Sequence, residues 1–224
     1  TDSPEILLEM MQKGTDVFRI NFSHADYPDV KRKIDTIHQL NNDHGYNTAI
    51  LADLQGPKLR IGKMEHEDFV INQGDILTFT NEDVVGTQEK VFMTYKRFAQ
   101  DVQVGENILI DDGKLIFKVI ETNGTDTVKA ETIQGGPLRS KKGVNLPNTN
   151  ISLPALTEKD KEDAIFAIEN RVDWFALSFV RSGQDVRDLA EFIKEHGTLK
   201  IPIISKIEKP EALENIYDIL EFSD

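Results

Sequence analysis

The feature that most constrains the fold of this chain is an interruption in its pattern of secondary structure. Helical and extended segments alternate up to residue 60, and they alternate again from residue 151. Between these limits the chain has short β-branched runs separated by turns rich in Gly, Asn and Asp, which is typical of antiparallel β-structure. Alternating helices and strands are typical of a parallel sheet covered by helices. We therefore predict an α/β domain formed by residues 1–60 and 151–224, interrupted by an all-β insertion over residues 61–150.

Start and stop signals locate the elements of the α/β segments. Ser3 before Pro4 predicts the beginning of a helix, and Gly14 predicts its end. Thr157 with Asp160 resembles a capping box at the start of a later helix. Further helices are predicted to begin at Pro28, Gln184 and Pro210, and the last of them is predicted to carry Leu213, Ile216, Tyr217 and Leu220 on one face.

Four strands are predicted in the α/β segments, over residues 17–23, 48–53, 173–180 and 201–207. A closed (β/α)8 barrel needs eight strands and about 250 residues. The pattern therefore predicts part of such a barrel, or a smaller open sheet. In the insertion, strands are predicted over residues 69–71, 76–79, 107–110, 115–120 and 127–130, with hairpin turns at Asp112-Gly113 and Asn123-Gly124.

Charge and composition exclude several classes of protein. The formal net charge is −13, which argues against non-specific binding of nucleic acid, because such binding needs basic surfaces. No apolar run is long enough to span a bilayer, and the absence of cysteine excludes disulfides and thiolate metal sites. It also fits a reducing cytoplasm, where we expect this protein to act.

One stretch of the chain departs from this acidic character. No Asp or Glu occurs between Glu131 and Glu158, whereas Arg139, Lys141 and Lys142 do. A local positive field in an acidic protein suits an anionic small ligand. The alternative is a loop that merely lacks acids.

Polar residues lie where the first two predicted strands end, which is where β/α folds bind ligands. Arg19, Asn21 and Ser23 are spaced by two and are predicted to share one face of a strand. Arg19 either binds an anionic ligand or forms a structural ion pair with Asp53 on the next strand. His24, which follows Ser23, is expected to be structural.

The second and last strands add further charged residues. Lys58 and Arg60 follow the turn at Gly56-Pro57, and Lys206 and Glu208 are predicted to share one face at the last strand end. Lys206 and Glu208 either pair with each other, or the carboxylate holds Mg²⁺ while the lysine faces a phosphate.

Four segments together resemble the pyruvate kinase family. They are residues 19–24 (RINFSH), Asp53 with Gly56-Pro57 and Arg60, residues 140–147 (SKKGVNLP) and residues 204–208 (ISKIE). They occur in the family's order and spacing. The resemblance implies a (β/α)8 (TIM) barrel interrupted by a β-barrel domain that acts as a lid. It also implies transfer of a phosphoryl group from phosphoenolpyruvate to ADP, giving pyruvate and ATP.

The resemblance also implies a role for individual residues. Lys206 stabilises the transition state, Arg19 contacts the transferring phosphate, and both contact the substrate. Glu208 is a ligand of the cofactor Mg²⁺. The residues implied to contact the nucleotide are Asn21, Arg60 and Lys142. The residues implied to bind a monovalent cation are Asn21, Ser23, Asp53 and, through its carbonyl, Leu54.

The sequence departs from the common family pattern at Lys58, where many relatives that need K⁺ carry a glutamate. Leu54, Gln55 and Ile61 also resemble the K⁺-independent branch, so we expect that K⁺ is not required. The family's first barrel strand, its later strands and its C-terminal domain are not matched. We therefore expect a piece of a homotetrameric parent that is inactive alone and that self-associates. The alternatives are a non-catalytic module that binds nucleotides or anions, and another Mg²⁺-dependent barrel enzyme acting on phosphoenolpyruvate or an oxo-acid.

Overall fold

The computed structural model describes residues 2–224, except for the side chain of His24, so the expectation for that side chain lies outside the described residues. The chain divides into two compact units. The first unit comprises Thr1–Pro57 and Pro154–Asp224, and the second comprises Lys58–Leu153. Each unit has its own hydrophobic core.

The first unit begins with two helices and two strands. Helix α1 covers Pro4–Gln12, strand β1 Val17–Asn21, helix α2 Tyr27–His44 and strand β2 Ala49–Asp53, and a 3₁₀ turn, Phe22–His24, follows β1. The Ser3 hydroxyl accepts a hydrogen bond from the Ile6 N–H and caps α1, as predicted. Helix α2 ends at Gly45, whose φ of 71° lies in the left-handed region that favours glycine.

The second unit consists mainly of strands. They are β3 (Val70–Ile71), β4 (Ile76–Thr80), β5 (Lys90–Phe92), β6 (Asn107–Ile110), β7 (Leu115–Thr122), β8 (Thr127–Gln134), β9 (Gly136–Pro137) and β10 (Val144–Asn145), with the short helix α3 (Phe98–Asp101). Six of them form one sheet in the order β10-β6-β7-β8-β4-β5, and β3 pairs with β9. The five predicted strands are confirmed, whereas β5, β9 and β10, each two or three residues long, were not predicted.

The chain then returns to the first unit and completes its sheet. The remaining elements are α4 (Glu158–Glu169), β11 (Trp174–Leu177), α5 (Gly183–His196), β12 (Ile203–Ser205), α6 (Pro210–Glu214) and α7 (Ile216–Phe222). The sheet order is β1-β2-β11-β12, and all its pairings are parallel. The first unit is thus an α/β structure, as predicted. Of the helices in residues 2–224, none is both long and apolar enough to cross a membrane.

Parallel register places the carboxyl ends of these strands at one level. Asn21 pairs with Asp53, Asp53 pairs with Ala176, and Leu177 pairs with Ser205. Side chains at or just after these positions therefore lie close together, even though they come from distant parts of the chain.

Three predicted strands end earlier than expected, and one of them is β11, which ends at Leu177 rather than at residue 180. Strand β1 ends at Asn21, because the Asn21 side chain accepts the Ser23 N–H at 3.0 Å and the chain turns into the 3₁₀ segment. The prediction that Ser23 continues the strand face of Arg19 and Asn21 is therefore wrong. Strand β12 ends at Ser205 where its partner β11 ends, so Lys206 and Glu208 lie beyond the strand rather than on one of its faces.

The last predicted helix is not a single helix in the structure. It is divided at Asn215 into α6 and α7, which changes the helical phase. Ala212 and Ile219 are buried, whereas Leu213, Tyr217 and Leu220 are 66%, 86% and 60% exposed. The single helix predicted from Pro210 is thus two helices, and three of the four residues predicted to share its apolar face are exposed.

Candidate functional site

The candidate site lies at the carboxyl ends of the strands in the first unit and is centred on Asp53. This carboxylate is 3% exposed and accepts hydrogen bonds from two cations. The Arg19 Nε lies 2.6 Å from its Oδ2, and the Lys206 Nζ lies 3.1 Å from its Oδ1. One buried carboxylate thus holds a guanidinium and an ammonium side by side.

Ser178, the residue after β11, supports Lys206. The Lys206 Nζ donates to the Ser178 Oγ at 2.7 Å, and that hydroxyl donates to the Leu54 carbonyl at 2.6 Å. Ser178 is 3% exposed. Sequence reasoning missed this residue, although a polar residue directly after a predicted apolar strand was an available signal.

Glu208 forms the open side of the site. Its Oε2 accepts the Phe179 N–H at 3.0 Å, and its Oε1 lies 3.4 Å from the Lys206 Nζ. Phe179 has a φ of 56°, in the sparsely populated left-handed region. The pairing of Lys206 with Glu208 that the sequence left open is therefore present. The Glu208 side chain remains 35% exposed and accessible to a ligand.

The sequence left open whether Arg19 binds an anionic ligand or forms an ion pair with Asp53, and the structure is compatible with both roles. Arg19 does form the ion pair with Asp53, but through Nε alone. Its Nη groups make no hydrogen bond to any described residue, and its side chain is 57% exposed. A guanidinium that is anchored by Nε and exposed at Nη can bind an anion such as a phosphate.

The residues assigned by resemblance to a monovalent cation lie around the same strand ends. Asn21 and Asp53 are register partners, and the Asn21 Oδ1 accepts the Ser23 N–H. The Leu54 carbonyl accepts the Ser178 hydroxyl. Protein donors therefore already occupy the Asn21 Oδ1, both Asp53 oxygens and the Leu54 carbonyl.

Arg60, Lys142 and Lys58 belong to the second unit. Arg60 Nη1 donates to the Lys141 carbonyl at 2.8 Å, and the Lys142 Nζ lies 2.9 Å from Asp111 Oδ1. Lys142, with Lys114, holds the pKa of the Asp111 carboxyl below its usual value. Arg60 also forms a β-bridge with Gly143, so it and Lys142 lie on adjacent segments, while Lys58 is exposed.

No group of three or more His, Asp or Glu side chains that could hold a metal occurs in residues 2–224, the side chain of His24 aside. Glu208 is nevertheless suited to be a single ligand. Mg²⁺ commonly takes one or two protein carboxylates, completing its octahedron with water and substrate phosphates. An exposed carboxylate oriented by a backbone N–H meets that requirement.

Comparison with known proteins identifies the family. The family described as pyruvate kinase, barrel domain, matches residues 1–224. A pyruvate kinase of Clostridium perfringens is 42% identical over 225 residues, covering 100% of this chain and 47% of the relative. A pyruvate kinase of Mycobacterium intracellulare is 40% identical, and the match covers 98% of this chain and 46% of the relative. A pyruvate kinase of Geobacillus stearothermophilus is 39% identical, and the match covers 100% of this chain and 38% of the relative. The chain thus spans less than half the length of these relatives. It belongs to the pyruvate kinase family.

Proposed function

We propose that the protein carrying this chain transfers the phosphoryl group of phosphoenolpyruvate to ADP. The bond between phosphorus and the enol oxygen breaks, and a bond from phosphorus to a terminal oxygen of ADP forms. The enolate then takes a proton at carbon to give pyruvate. The observation that carries the proposal is the pairing of Arg19 and Lys206 on the buried Asp53 carboxylate in a chain of this family.

Phosphoryl transfer demands little covalent chemistry from the protein. It demands positioning, together with neutralisation of the charge on the phosphoryl oxygens. Arg19 offers its free Nη groups to the phosphate. Lys206 supplies an ammonium whose place is set by Asp53 and Ser178, so little reorganisation is needed when charge develops in the transition state.

Glu208 is the residue that would hold Mg²⁺ in the first unit. A bound Mg²⁺ neutralises phosphate charge and orients the transferring group. Glu208 also contacts Lys206, so it links the position of the metal ligand to that of the ammonium. By resemblance, Arg60 and Lys142 are proposed to contact the phosphates of the nucleotide, and Asn21 is proposed as a further nucleotide contact.

We further propose that the protein does not require K⁺. The support is that the Arg19 and Lys206 charges already lie on Asp53 and that Ser178 already donates to the Leu54 carbonyl. By resemblance, Lys58 adds a positive charge where K⁺-dependent relatives have a carboxylate. When donors of the protein already bind the acceptors of a cation site, an added cation stabilises that site less.

The larger assembly is also part of the proposal. By resemblance, the first unit is part of a (β/α)8 barrel and the second unit an inserted β-barrel domain, in a cytoplasmic homotetramer. The chain of 224 residues on its own is expected to lack turnover and to self-associate. Its four-stranded sheet has apolar residues exposed at both edges, Val17 at 45% and Ile204 at 40%, and such edges favour association.

The proposal is tested by coupling pyruvate formation to lactate dehydrogenase in the natural protein that carries this sequence. Arg19→Gln should lower kcat/KM for phosphoenolpyruvate by about 100-fold, because it removes a charged donor from the reacting phosphate. Arg32→Gln is the matched control, since Arg32 is 54% exposed and pairs with Asp29 on α2. Nucleotide binding without turnover would instead favour the non-catalytic module, and turnover by the 224-residue chain would refute its inactivity.

A further inference from the structure

Asp160 is a completely buried carboxylate that the proposed chemistry does not use. It is the third residue of α4, and its oxygens accept hydrogen bonds from two distant parts of the first unit. Oδ1 accepts the Gly56 N–H at 3.0 Å, and Oδ2 accepts the Thr157 N–H at 2.9 Å together with the Thr157 hydroxyl.

These partners flank the two points where the chain crosses between the units. The first segment of the first unit ends at Pro57, one residue after Gly56, and the second segment begins at Pro154, three residues before Thr157. The carboxylate therefore connects the departing and returning segments at a single side chain. The contact between Asp160 and Gly56 spans 104 residues of sequence.

A second capping carboxylate in the same unit shows that capping alone does not explain this arrangement. Asp185 is the third residue of α5 and is 8% exposed. It accepts the Arg181 N–H at 2.9 Å and the Ser182 N–H at 3.2 Å, and both donors are close in sequence. Asp185 thus serves its own helix, whereas Asp160 also holds a segment from another strand.

The segment held by Asp160 carries part of the candidate site. Gly56 has a φ of 66°, and a Cβ there would lie 2.9 Å from the Ser178 carbonyl oxygen, so the backbone fits closely. The Leu54 N–H donates to the Ala176 carbonyl, and the Leu54 carbonyl accepts the Ser178 hydroxyl. β11 and Ser178 thus hold Leu54, and Asp160 holds Gly56.

We propose that Asp160 is a positioning residue that fastens both connecting segments and thereby fixes the placement of Asp53. The anchoring rests on the geometry alone, whereas its consequence for turnover rests on the proposed phosphoryl transfer. Through Asp53, the anchor fixes where Arg19 and Lys206 present their charges.

Asp160→Asn tests this inference because it preserves size while removing one acceptor. An amide has one oxygen, so it can accept the Gly56 N–H or the Thr157 N–H, but its NH₂ group cannot accept the other. Asp185→Asn is the control, since it removes the charge of another capping carboxylate without touching either crossing. Both N–H donors of that cap bind one oxygen, which the amide can retain.

Hydrogen exchange of the 224-residue chain measures the anchor directly. In Asp160→Asn we expect the amide oxygen to keep the two donors of Thr157 and to give up the single Gly56 N–H. The Gly56 amide should therefore exchange about 10- to 100-fold faster, the range expected for losing a hydrogen bond to a charged acceptor. Asp185→Asn should leave the exchange rate of the Gly56 amide unchanged. Unaltered exchange at Gly56 in Asp160→Asn would overturn the anchor. If that variant does not fold, a Gly56 amide in the unsubstituted chain that exchanges as fast as an unstructured one would overturn it as well.

Kinetics of the natural protein separate positioning from simple stability. Asp160→Asn should lower kcat by about tenfold or more, with KM for phosphoenolpyruvate changed less than twofold, because a misplacement of about 1 Å at the reacting groups is costly. Asp185→Asn should leave both constants within about twofold. Equal losses of kcat in the two variants would show that Asp160 is merely structural. Absence of turnover in the unsubstituted protein would refute the proposed function, while the exchange result would still decide the anchoring.

Discussion

Replacing Lys206 by methionine removes one charge and retains most of the side chain's length. In the structure the ammonium donates to Asp53 and Ser178 and lies 3.4 Å from Glu208. Without it, Asp53 keeps Arg19 as its cationic partner, and Ser178 still donates to the Leu54 carbonyl. No buried group is therefore left without a hydrogen bond, so the protein should remain folded.

The expected loss of stability is modest, whereas the expected loss of rate is large. A hydrogen bond to a charged group contributes about 1.5–3 kcal/mol, and the Lys206 side chain is 29% exposed, so we expect a cost toward the lower end of that range. Removing one preorganised donor from a developing charge costs about 10²–10³ in kcat. Because the ammonium acts on the transition state, KM for phosphoenolpyruvate should change little.

The measurement is a lactate-dehydrogenase-coupled assay of the natural protein, combined with urea unfolding of the 224-residue chain followed by the fluorescence of Trp174, its single tryptophan, which lies in β11. Lys200→Met is the matched control, since Lys200 is 80% exposed and pairs with Asp224 away from the site. The reasoning is refuted if Lys206→Met raises KM while leaving kcat intact, or if the control loses kcat to the same extent.

Three further outcomes are expected. The natural protein, with Lys58 in place, should turn over in tetramethylammonium as fast as in K⁺ to within about threefold, and a large activation by K⁺ in steady-state assays would contradict this. Burial raises the pKa of Tyr27 from 10.0 to about 12. Between those values the folded chain keeps a proton that the unfolded chain has lost, so stability should fall as pH rises through that window. The free energy of unfolding of Tyr27→Phe, measured with urea at about pH 9 and about pH 11.5, should fall less between the two pH values than that of the unsubstituted chain. Equal falls would argue against the raised pKa. Gly56→Ala should lower the free energy of unfolding by more than the strain of a left-handed backbone, which is about 1–2 kcal/mol, because its Cβ would also clash with the Ser178 carbonyl. Gly45→Ala has the same sign of φ and open space, so equal unfolding energies for the two variants would exclude the clash.

Local signals in the sequence predicted much of the first unit. The caps at Ser3 and Thr157 form as expected, because each joins atoms no more than three residues apart. The four predicted strands also occur, since their apolar runs suit a sheet covered on both faces. Strand lengths were less well predicted, as at Ser23, because a single Asn21 side-chain hydrogen bond can end a strand.

The candidate site was predicted as a set of residues but not as a network. Arg19, Asp53, Lys206 and Glu208 were all identified from their positions at strand ends. The sequence left open whether Arg19 pairs with Asp53 and whether Lys206 pairs with Glu208, and in the structure both pairs form. Pair formation depends on which strands are neighbours and in what register, and neither is encoded within a few residues of either partner.

The sequence by itself determined where helices begin, which runs are extended and which polar residues follow them, because these properties depend on neighbours along the chain. Tertiary structure alone decided that Asp53 serves two cations, that Ser178 joins Lys206 to Leu54 and that Asp160 reaches Gly56. It also decided that Tyr217 faces outward, since the break at Asn215 changes the helical phase. The contacts of Asp53 and Ser178 require parallel strands packed in one order. Only the folded unit brings residues more than a hundred positions apart within hydrogen-bond distance.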